Sequence, residues 1–347
     1  MNLLLIASIS VGVFFLSTIF VGIWQREMRL RAILDRPNSR SLHIVPTPRG
    51  GGVGIFLAYF LGILFASLST RFFEMKDLYA FTGGILVFLV GLWDDFKNSR
   101  KRVRLLVHIL SVAFAYLWID DSLCMWLYEK GMGLKYAEWL TVSFWILGIV
   151  WSINLFNFMD GINGIAGMEA IFLAIAMAFF LYLRDPNHFR FVQMLVLGFA
   201  TLGFLIWNFP KAFVFLGDSG SGFLGYSLST LGSWMVVNSY VNLTSILVLT
   251  SLFWLDATLT VLWRLWNGKN IFEPHKTHAY QILARRWQSH KPVTILYFFL
   301  NSGVLFPCVY LAESGLLNGY LLLSIVLSVE FYLYIKIRQL EDSMYDG

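Results

Sequence analysis

The chain has 347 residues, of which 58% are hydrophobic and only 14% are charged. Soluble domains are on average about 45–50% apolar and about 25% charged. These fractions exclude a water-soluble globular domain and indicate a protein that hides apolar surface in lipid. The distribution of the net charge of +5 along the chain is therefore more informative than its size. The two cysteines, Cys124 and Cys308, match no disulfide or metal-binding spacing.

Eleven apolar runs are long enough to cross a bilayer core of about 30 Å, at about 1.5 Å per residue of helix. They cover residues 3–24, 52–70, 78–93, 105–119, 139–158, 165–183, 191–209, 222–240, 242–263, 293–312 and 318–337. The first run follows no basic residue and precedes no small-residue cleavage site, so we predict a retained helix and not a signal peptide. We expect an all-α, polytopic integral membrane protein with about eleven transmembrane helices.

Basic residues are distributed unevenly between the two sets of loops that alternate crossings create. One set contains loops 25–51, 94–104, 159–164, 210–221 and 264–292 and the C-terminal tail. Twenty of the 26 Lys and Arg residues lie in or beside this set, and six lie in the other. Cytoplasmic loops carry the excess of Lys and Arg, so we predict that the N-terminus is outside and the C-terminus is cytoplasmic.

Five polar clusters all fall in the predicted cytoplasmic loops. They are segment 46–52 (Pro-Thr-Pro-Arg-Gly-Gly-Gly), the pair Asp94 and Asp95, segment 160–163 (Asp-Gly-Ile-Asn), segment 217–219 (Gly-Asp-Ser) and the pair His275 and His278. Unrelated loop residues would not be expected to gather on one membrane face over about 230 residues of sequence. We therefore interpret the clusters as parts of one site.

The third predicted span ends in two adjacent carboxylates, Asp94 and Asp95. Such a pair is costly at a membrane surface unless a proton or a cation neutralises it. One interpretation is a helix end that pairs with the basic run 97–104 behind it. The other is a metal or phosphate site in which one carboxylate serves as a base. The residues alone leave both interpretations open.

The fifth predicted span ends in Asn154, Asn157 and Asp160, which are spaced three residues apart. This spacing predicts three oxygen-bearing side chains on one helix face, and the glycines that follow allow a close approach of the backbone to a ligand. Hydrogen bonding between helices is the alternative. Asp218 lies in a Gly- and Ser-rich segment before the eighth span, where it could cap the helix or supply an oxygen ligand to Mg²⁺.

His275 and His278 lie in the longest late cytoplasmic loop, without the further ligands expected of a zinc site. With basic neighbours they suit a diphosphate better, although a surface His pair is usually inert. The basic candidates for diphosphate or lipid-phosphate contact are Arg49, Lys101, Arg104 and Arg285. Asp256 and Glu330, inside two predicted spans, receive no role. Together the loops predict a Mg²⁺ site at the membrane surface that serves a soluble diphosphate and a phosphate-bearing lipid.

These motifs, in this order, resemble those of the polyprenyl-phosphate N-acetylhexosamine-1-phosphate transferases (glycosyltransferase family 4). The similarity runs from Asp35 to about Gln281. It rests on Asp35-Arg-Pro, Arg40, His43, segment 46–52, Gly91-Leu-Trp-Asp-Asp, segment 154–164, Gly217-Asp-Ser-Gly-Ser and the pair His275 and His278. The resemblance implies transfer of a sugar-1-phosphate from a UDP-sugar to a membrane polyprenyl phosphate.

The resemblance also implies roles for single residues. Catalytic roles are implied for Asp94, Asp95 and Asp160, metal binding for Asn157 and Asp218, and substrate binding for Arg49, Asn154, Asn163, His275 and His278. The implied metal is Mg²⁺, with Mn²⁺ as a substitute. The implied partners are a UDP-N-acetylhexosamine, a polyprenyl phosphate lipid and the membrane. No nucleic-acid partner is expected, and a homodimer is compatible with the pattern.

Two departures narrow the resemblance. Asn163 stands where several family members carry an aspartate, so a carboxylate is not available there. The spacing of His275 and His278 lacks the triple histidine of the muropeptide branch and looks more like the branch that initiates O-antigen or similar surface glycans. We therefore expect a single transferase domain over residues 1–347 in a bacterial inner membrane. Its active-site loops would face the cytoplasm. The enzyme would take part in the biosynthesis of lipopolysaccharide or a related surface glycan.

A transporter is the main alternative from another class, because transporters place ionisable groups near the midplane on broken helices. Here the polar motifs gather at one face, so only Asp256 and Glu330 favour transport. A CDP-alcohol phosphotransferase also uses an Asp-Gly motif in membrane helices. That motif requires Ala-Arg shortly after Asp-Gly, whereas Ile-Asn follows Asp160 and Gly161. The second alternative therefore fails on the residues.

Overall fold

The computed structural model describes residues 3–37, 45–70, 74–97, 99–129, 135–270 and 275–342. Most of these residues are helical, and their one sheet has two short strands, which confirms the predicted all-α class. Helices α1 to α7 are Leu3–Leu30, Gly52–Thr70, Asp77–Lys97, Lys101–Glu129, Lys135–Met159, Ile165–Arg184 and Phe189–Asn208. Helices α8 to α14 are Gly217–Val237, Leu243–Leu249, Ser251–Trp266, Ala279–Arg286, His290–Phe299, Phe306–Glu313 and Gly319–Asp342.

Nine helical spans in the described ranges are long and apolar enough to cross a membrane, where α12, α13 and the π-helical segment between them count as one span, His290–Glu313. The number is ten if the bent pair α9 and α10 is also one span. The sequence predicts eleven, and the difference lies in α8, which corresponds to the predicted span 222–240. Its glycines and serines lower its hydropathy, and most of its residues are buried among neighbours. Small residues permit close packing of membrane helices, so α8 suits the centre of the bundle.

The predicted span 242–263 is broken in the structure. Helix α9 ends at Leu249, α10 begins at Ser251, and the two are bent by 74°. Ser251 Oγ donates a hydrogen bond to Glu330 Oε1 at 2.7 Å, so one of the acidic residues without a predicted role supports the break. A second irregularity is a π-helical segment, Leu300–Leu305, between α12 and α13.

The packing around α8 brings distant segments of the chain to one end of the bundle. Helices α3 and α5 both pack along α8. A Cβ atom on Gly91 would touch the carbonyl of Asp218 at 2.4 Å, and one on Gly225 would touch the carbonyl of Ser152 at 2.9 Å. The C-terminal ends of α3 and α5 therefore meet the N-terminal end of α8, where the predicted polar motifs lie.

Candidate active site

Asp95, at the end of α3, caps the first turn of α8. Its carboxylate accepts hydrogen bonds from the backbone amides of Asp218 and Ser219, at 2.8 and 3.1 Å, and from the Ser219 hydroxyl at 2.7 Å. These bonds satisfy amides that a helix N-terminus leaves without intrahelical partners, and a negative charge is favourable at that end. The oxygens of Asp95 are therefore committed to holding Asp218 in place.

Asp94 and Asp218 meet at a single guanidinium group. Arg104 Nη1 lies 2.5 Å from Asp94 Oδ2 and 2.5 Å from Asp218 Oδ2. Asp94 Oδ1 also accepts hydrogen bonds from the backbone amide and hydroxyl of Ser99, at 2.5 and 2.7 Å. A cation between two carboxylates offsets their mutual repulsion. Both sequence interpretations of Asp94 fit this geometry, because a guanidinium group and a metal ion neutralise the same oxygens.

Asn157 brings α5 to the same carboxylate. Its Nδ2 donates to Asp218 Oδ1 at 2.8 Å and to Ser221 Oγ at 3.2 Å. Ser221 lies one turn after Asp218 on α8 and donates in turn to the Gly217 carbonyl at 3.0 Å. Side chains from α3, α4, α5 and α8 thus form one hydrogen-bonded group, which we call the aspartate cluster: Asp94, Asp95, Arg104, Asn157 and Asp218.

Asp160 lies beside this cluster but outside α5, because the helix ends at Met159. The predicted helix face of three polar residues is therefore wrong in its last member. Burial, followed by the negative charges of Asp218 and Asp95, raises the pKa of Asp160 well above its ordinary value, and Arg49 opposes this effect. A carboxyl group in such surroundings readily gains a proton or a cation.

Two other predicted substrate-binding residues make their hydrogen bonds elsewhere. Asn154 donates its side-chain amide to the carbonyl of Val150 at 2.7 Å, within α5. Asn163 donates to the carbonyl of Pro210 at 3.2 Å, and its own carbonyl accepts from Thr294 of α12 at 2.8 Å. These bonds join Asn163 to the scaffold and not to the aspartate cluster.

Arg49 comes from the first predicted cytoplasmic loop. Its Nη2 donates to Asp35 Oδ2 at 2.8 Å, and its carbonyl accepts from Trp24 Nε1 at 2.8 Å. Although burial disfavours its charge, Asp35, Asp218 and Asp95 together raise the pKa of Arg49. Arg49 therefore lies within the electrostatic reach of the aspartate cluster. Arg40 and His43, which also carry the family resemblance, lie outside the described residues.

The glycine-rich segment 46–52 lies against residues 215 and 216, which lead into α8. It begins in a two-stranded antiparallel sheet of β1 (Leu34–Asp35) and β2 (Thr47–Pro48). The amides of Gly51 and Gly52 then donate to the carbonyls of residues 215 and 216, at 2.8 and 2.9 Å. A Cβ atom on Gly52 would lie 2.2 Å from the Cα of Gly220, so only glycine permits this approach.

The residues 275–278, which we call the His segment, are fixed from inside the bundle. The rings of His275 and His278 lie 5.0 Å apart, and His278 Nδ1 lies 3.5 Å from Asp256 Oδ1. Asp256 also accepts hydrogen bonds from the backbone amides of Ala279 and Tyr280, at 2.9 and 3.2 Å. Asp256 therefore caps α11, a role that its apolar sequence context does not signal. His278 is buried and is not the surface histidine that the sequence suggests.

The chain that follows the His segment touches the Asp160 turn. The Tyr280 hydroxyl donates to the carbonyl of Phe158 at 2.8 Å, and a Cβ atom on Gly161 would lie 2.2 Å from that hydroxyl oxygen. Burial and the positive charges nearby lower the pKa of His275 to about 3. His275 is therefore neutral at physiological pH, with one nitrogen that donates and one that accepts hydrogen bonds.

The aspartate cluster offers oxygen donors to a metal ion. In the part of the chain that the structure describes, no three His, Cys, Asp or Glu side chains form a group that could hold a metal. Mg²⁺ is commonly bound through one or two carboxylates and completes its coordination with water and phosphate oxygens. Asp94 and Asp218 share one neighbouring positive group in Arg104, so their spacing fits an ion of that kind.

A cavity of about 590 Å³ lies inside the bundle, between α4, α5, α6, α8, α9 and α10. Its wall is almost entirely apolar and extends from Phe156, the neighbour of Asn157 in sequence, to Trp254 at the start of α10. Helices α5 and α8 therefore carry the polar cluster at one end and line an apolar cavity further along. That combination suits a ligand with a charged head and an apolar chain.

The fold is that of a polytopic, helical membrane protein with a cluster of carboxylate and amide side chains at one end of its bundle. The family model described as glycosyl transferase family 4 matches residues 78–236. A probable undecaprenyl-phosphate N-acetylglucosaminyl 1-phosphate transferase of Bacillus subtilis is 29% identical over 275 residues, which cover 77% of this chain and 74% of the relative. An undecaprenyl-phosphate alpha-N-acetylglucosaminyl 1-phosphate transferase of Escherichia coli is 23% identical and covers 96% of this chain and 91% of the relative. The family match and these relatives support the predicted resemblance to glycosyl transferase family 4.

Proposed function

We propose that this protein transfers N-acetylhexosamine-1-phosphate from a UDP-sugar to a polyprenyl phosphate. The products are UMP and a polyprenyl-diphosphate sugar, the first lipid-linked intermediate of a surface glycan. The observation that carries the proposal is that Asp94 and Asp218 share one cationic group, while Asn157 donates a hydrogen bond to Asp218. Helices α5 and α8, which carry Asn157 and Asp218, also line an apolar cavity. The names of the relatives supply the acceptor lipid and one candidate sugar, N-acetylglucosamine.

The proposed cation is Mg²⁺, with Mn²⁺ as a substitute, held by Asp94, Asp218 and Asn157. A single nitrogen of Arg104 lies 2.5 Å from oxygens of both aspartates, so one cation can serve both. When bound, the ion would neutralise phosphate oxygens on the two substrates and lower the barrier to their reaction. Arg104, set free from the carboxylates, would then be available to a phosphate group.

Asp94 acts on the acceptor in this proposal. An oxygen of the lipid phosphate attacks the phosphorus that carries the sugar, the phosphoanhydride bond breaks, and UMP leaves with the bonding electrons. A phosphate monoester has a second pKa of about 6 and is largely dianionic at neutral pH. Asp94 therefore has little need to remove a proton and chiefly positions the acceptor. Asp95 keeps Asp218 in register through the amides of α8.

The membrane arrangement follows from the two substrates. UDP-sugars are made in the cytoplasm, so we propose that the aspartate cluster faces that side of a bacterial inner membrane, as the basic loops predict. The apolar cavity beside α5 and α8 would take part of the polyprenyl chain. The acceptor could then reach the cluster without leaving the bilayer.

The test uses proteoliposomes of purified protein with undecaprenyl phosphate, Mg²⁺ and a panel of radiolabelled UDP-sugars. We expect label from one UDP-N-acetylhexosamine to enter the organic phase, with release of UMP, and Asp218→Asn to abolish the transfer. The same vesicles without acceptor lipid report transport. Label trapped inside them, with no lipid-linked product in the complete system, would reject the transferase in favour of the transporter alternative.

A further inference from the structure

Two arginines from different helices hold the backbone of the His segment. Arg285 of α11 donates through Nη2 to the carbonyl of Lys276 at 3.1 Å. Arg338 of α14 donates through Nη1 to the carbonyl of Thr277 at 2.7 Å. The two carbonyls are consecutive and lie between the two histidines. Both backbone oxygens are thus fixed by charge-assisted hydrogen bonds, which are stronger than neutral ones.

One carboxylate links the two arginines. Glu341 Oε1 lies 2.7 Å from Arg285 Nη2, and Glu341 Oε2 lies 2.8 Å from Arg338 Nη1. The side chains of Glu341 and Arg338 are each only 8% exposed. Removing the negative charge would leave two guanidinium groups near each other in a largely desolvated position, and an uncompensated buried charge is strongly unfavourable. The hydrogen bonds from both arginines to the His segment therefore depend on Glu341.

The side chain of Arg338 is also held from α10. Its guanidinium carbon lies 3.6 Å from the centre of a ring of Trp263, a distance at which a cation is attracted to the face of an aromatic ring. The same helix carries Asp256, which caps α11 directly after the His segment. Helices α10, α11 and α14 therefore restrain this short segment from three sides.

We propose that Glu341 is a positioning residue that, through Arg285 and Arg338, holds the His segment ready for the diphosphate of the nucleotide sugar. This inference rests on the proposed function and on the substrate-binding role that the family resemblance implies for His275 and His278. A segment that is already ordered loses less conformational entropy on binding, so its ligand binds more tightly. All three residues lie beyond residue 236, where the family match ends. The C-terminal helix would thus tune the affinity for the donor.

Glu341→Gln tests the proposal, because it keeps the shape of the side chain and removes its charge. We expect the KM for the UDP-sugar to rise about tenfold, as loss of hydrogen bonds to charged groups would cause. The KM for the polyprenyl phosphate and kcat should change less than twofold. Arg338→Lys keeps a positive charge but loses the two-pronged donor, so it should raise the same KM. The matched control is Glu27→Gln, since Glu27 forms an exposed pair with Arg31 at 3.5 Å.

Hydrogen–deuterium exchange supplies a readout that does not depend on turnover. Amides between residues 275 and 286 should exchange faster in Glu341→Gln than in the wild type and in Glu27→Gln. Unchanged exchange there, or an equal rise of both KM values together with loss of inserted protein, would overturn the positioning role. A wild-type protein that transfers no sugar-phosphate would refute the proposed function instead, while the exchange measurement would still decide whether Glu341 orders the His segment.

Discussion

The carboxylate of Asp95 holds the backbone amide of Asp218 at a distance of 2.8 Å. The side chain of one aspartate thus fixes the position of another that lies more than a hundred residues away in sequence. Asp94, the neighbour of Asp95, instead shares the guanidinium group of Arg104 with Asp218. The two adjacent carboxylates therefore bind different partners: Asp95 binds the backbone of α8, and Asp94 binds the cationic group that it shares with Asp218.

This division predicts different phenotypes for two conservative substitutions. Asp95→Asn should lower the melting temperature by several degrees and also lower activity. One of the two accepting oxygens becomes an amide nitrogen that cannot accept from α8, at a cost of about 1–3 kcal/mol. Asp218→Asn should leave insertion and melting temperature nearly unchanged and reduce kcat by orders of magnitude. Thermal unfolding in detergent and the radiolabelled transfer assay measure both effects. Equal melting temperatures for the two variants would contradict the assignment.

Metal removal should abolish turnover, because the charge of the reacting phosphates would then lack its main counter-ion. Excess EDTA should stop transfer, and added Mg²⁺ or Mn²⁺ should restore it. Asn157→Ala should raise the Mg²⁺ concentration for half-maximal activity by about tenfold. Ser143→Ala is the control on the same helix, since the Ser143 hydroxyl donates within that helix to the carbonyl of Trp139. Normal activity of the wild type in EDTA would remove the metal from the proposal.

Arg104→Gln should make the protein depend on metal for its stability. Without this guanidinium group, Asp94 and Asp218 repel each other, and a bound divalent ion would relieve the repulsion. A ligand at 100 times its dissociation constant stabilises the folded state by about 2.7 kcal/mol. We therefore expect Mg²⁺ to raise the melting temperature of Arg104→Gln more than that of the wild type. Arg102→Gln is the control, since Arg102 is an exposed neighbour on α4. Identical Mg²⁺-induced shifts of the melting temperature in the wild type and both variants would argue against a shared cationic position.

The predicted orientation can be tested by accessibility of introduced cysteines. In a background of Cys124→Ser and Cys308→Ser, Gln288→Cys should react with a membrane-impermeant maleimide only after permeabilisation. Asn187→Cys should react from outside the cell. Both positions are exposed in the structure. Positions 40 and 98 share the predicted side of residue 288 but lie outside the described residues. A reversed pattern would place the aspartate cluster away from the cytoplasmic UDP-sugar.

The chemical route makes a further prediction. One phosphoanhydride is broken and another is made, so the reaction should run backwards when UMP is added. Direct attack by the lipid phosphate forbids exchange of labelled UMP into the UDP-sugar when no acceptor is present. A covalent intermediate on an aspartate would permit it. We expect no exchange without lipid, because a cation and Arg104 already supply the charge stabilisation. Robust lipid-independent exchange that Asp94→Asn abolishes would establish the covalent route.

The sequence by itself determined the class of fold. Lipid cannot satisfy backbone hydrogen-bonding groups, so long apolar runs must become helices whatever packs beside them. The order of the motifs and the basic loops likewise assign Asp94, Asn157 and Asp218 to one predicted site. These features depend on composition and on local spacing, which a linear sequence carries in full.

Only the tertiary structure decided which partner each polar side chain has. The spacing of Asp94 and Asp95 does not show that one takes the amides of α8 and the other takes Arg104. Nor does the apolar context of Asp256 show that it caps a helix 23 residues later in the chain. A hydrogen bond between side chains depends on distance and direction to within a few tenths of an ångström. Those quantities exist only after α3, α5, α8 and α10 have packed against one another.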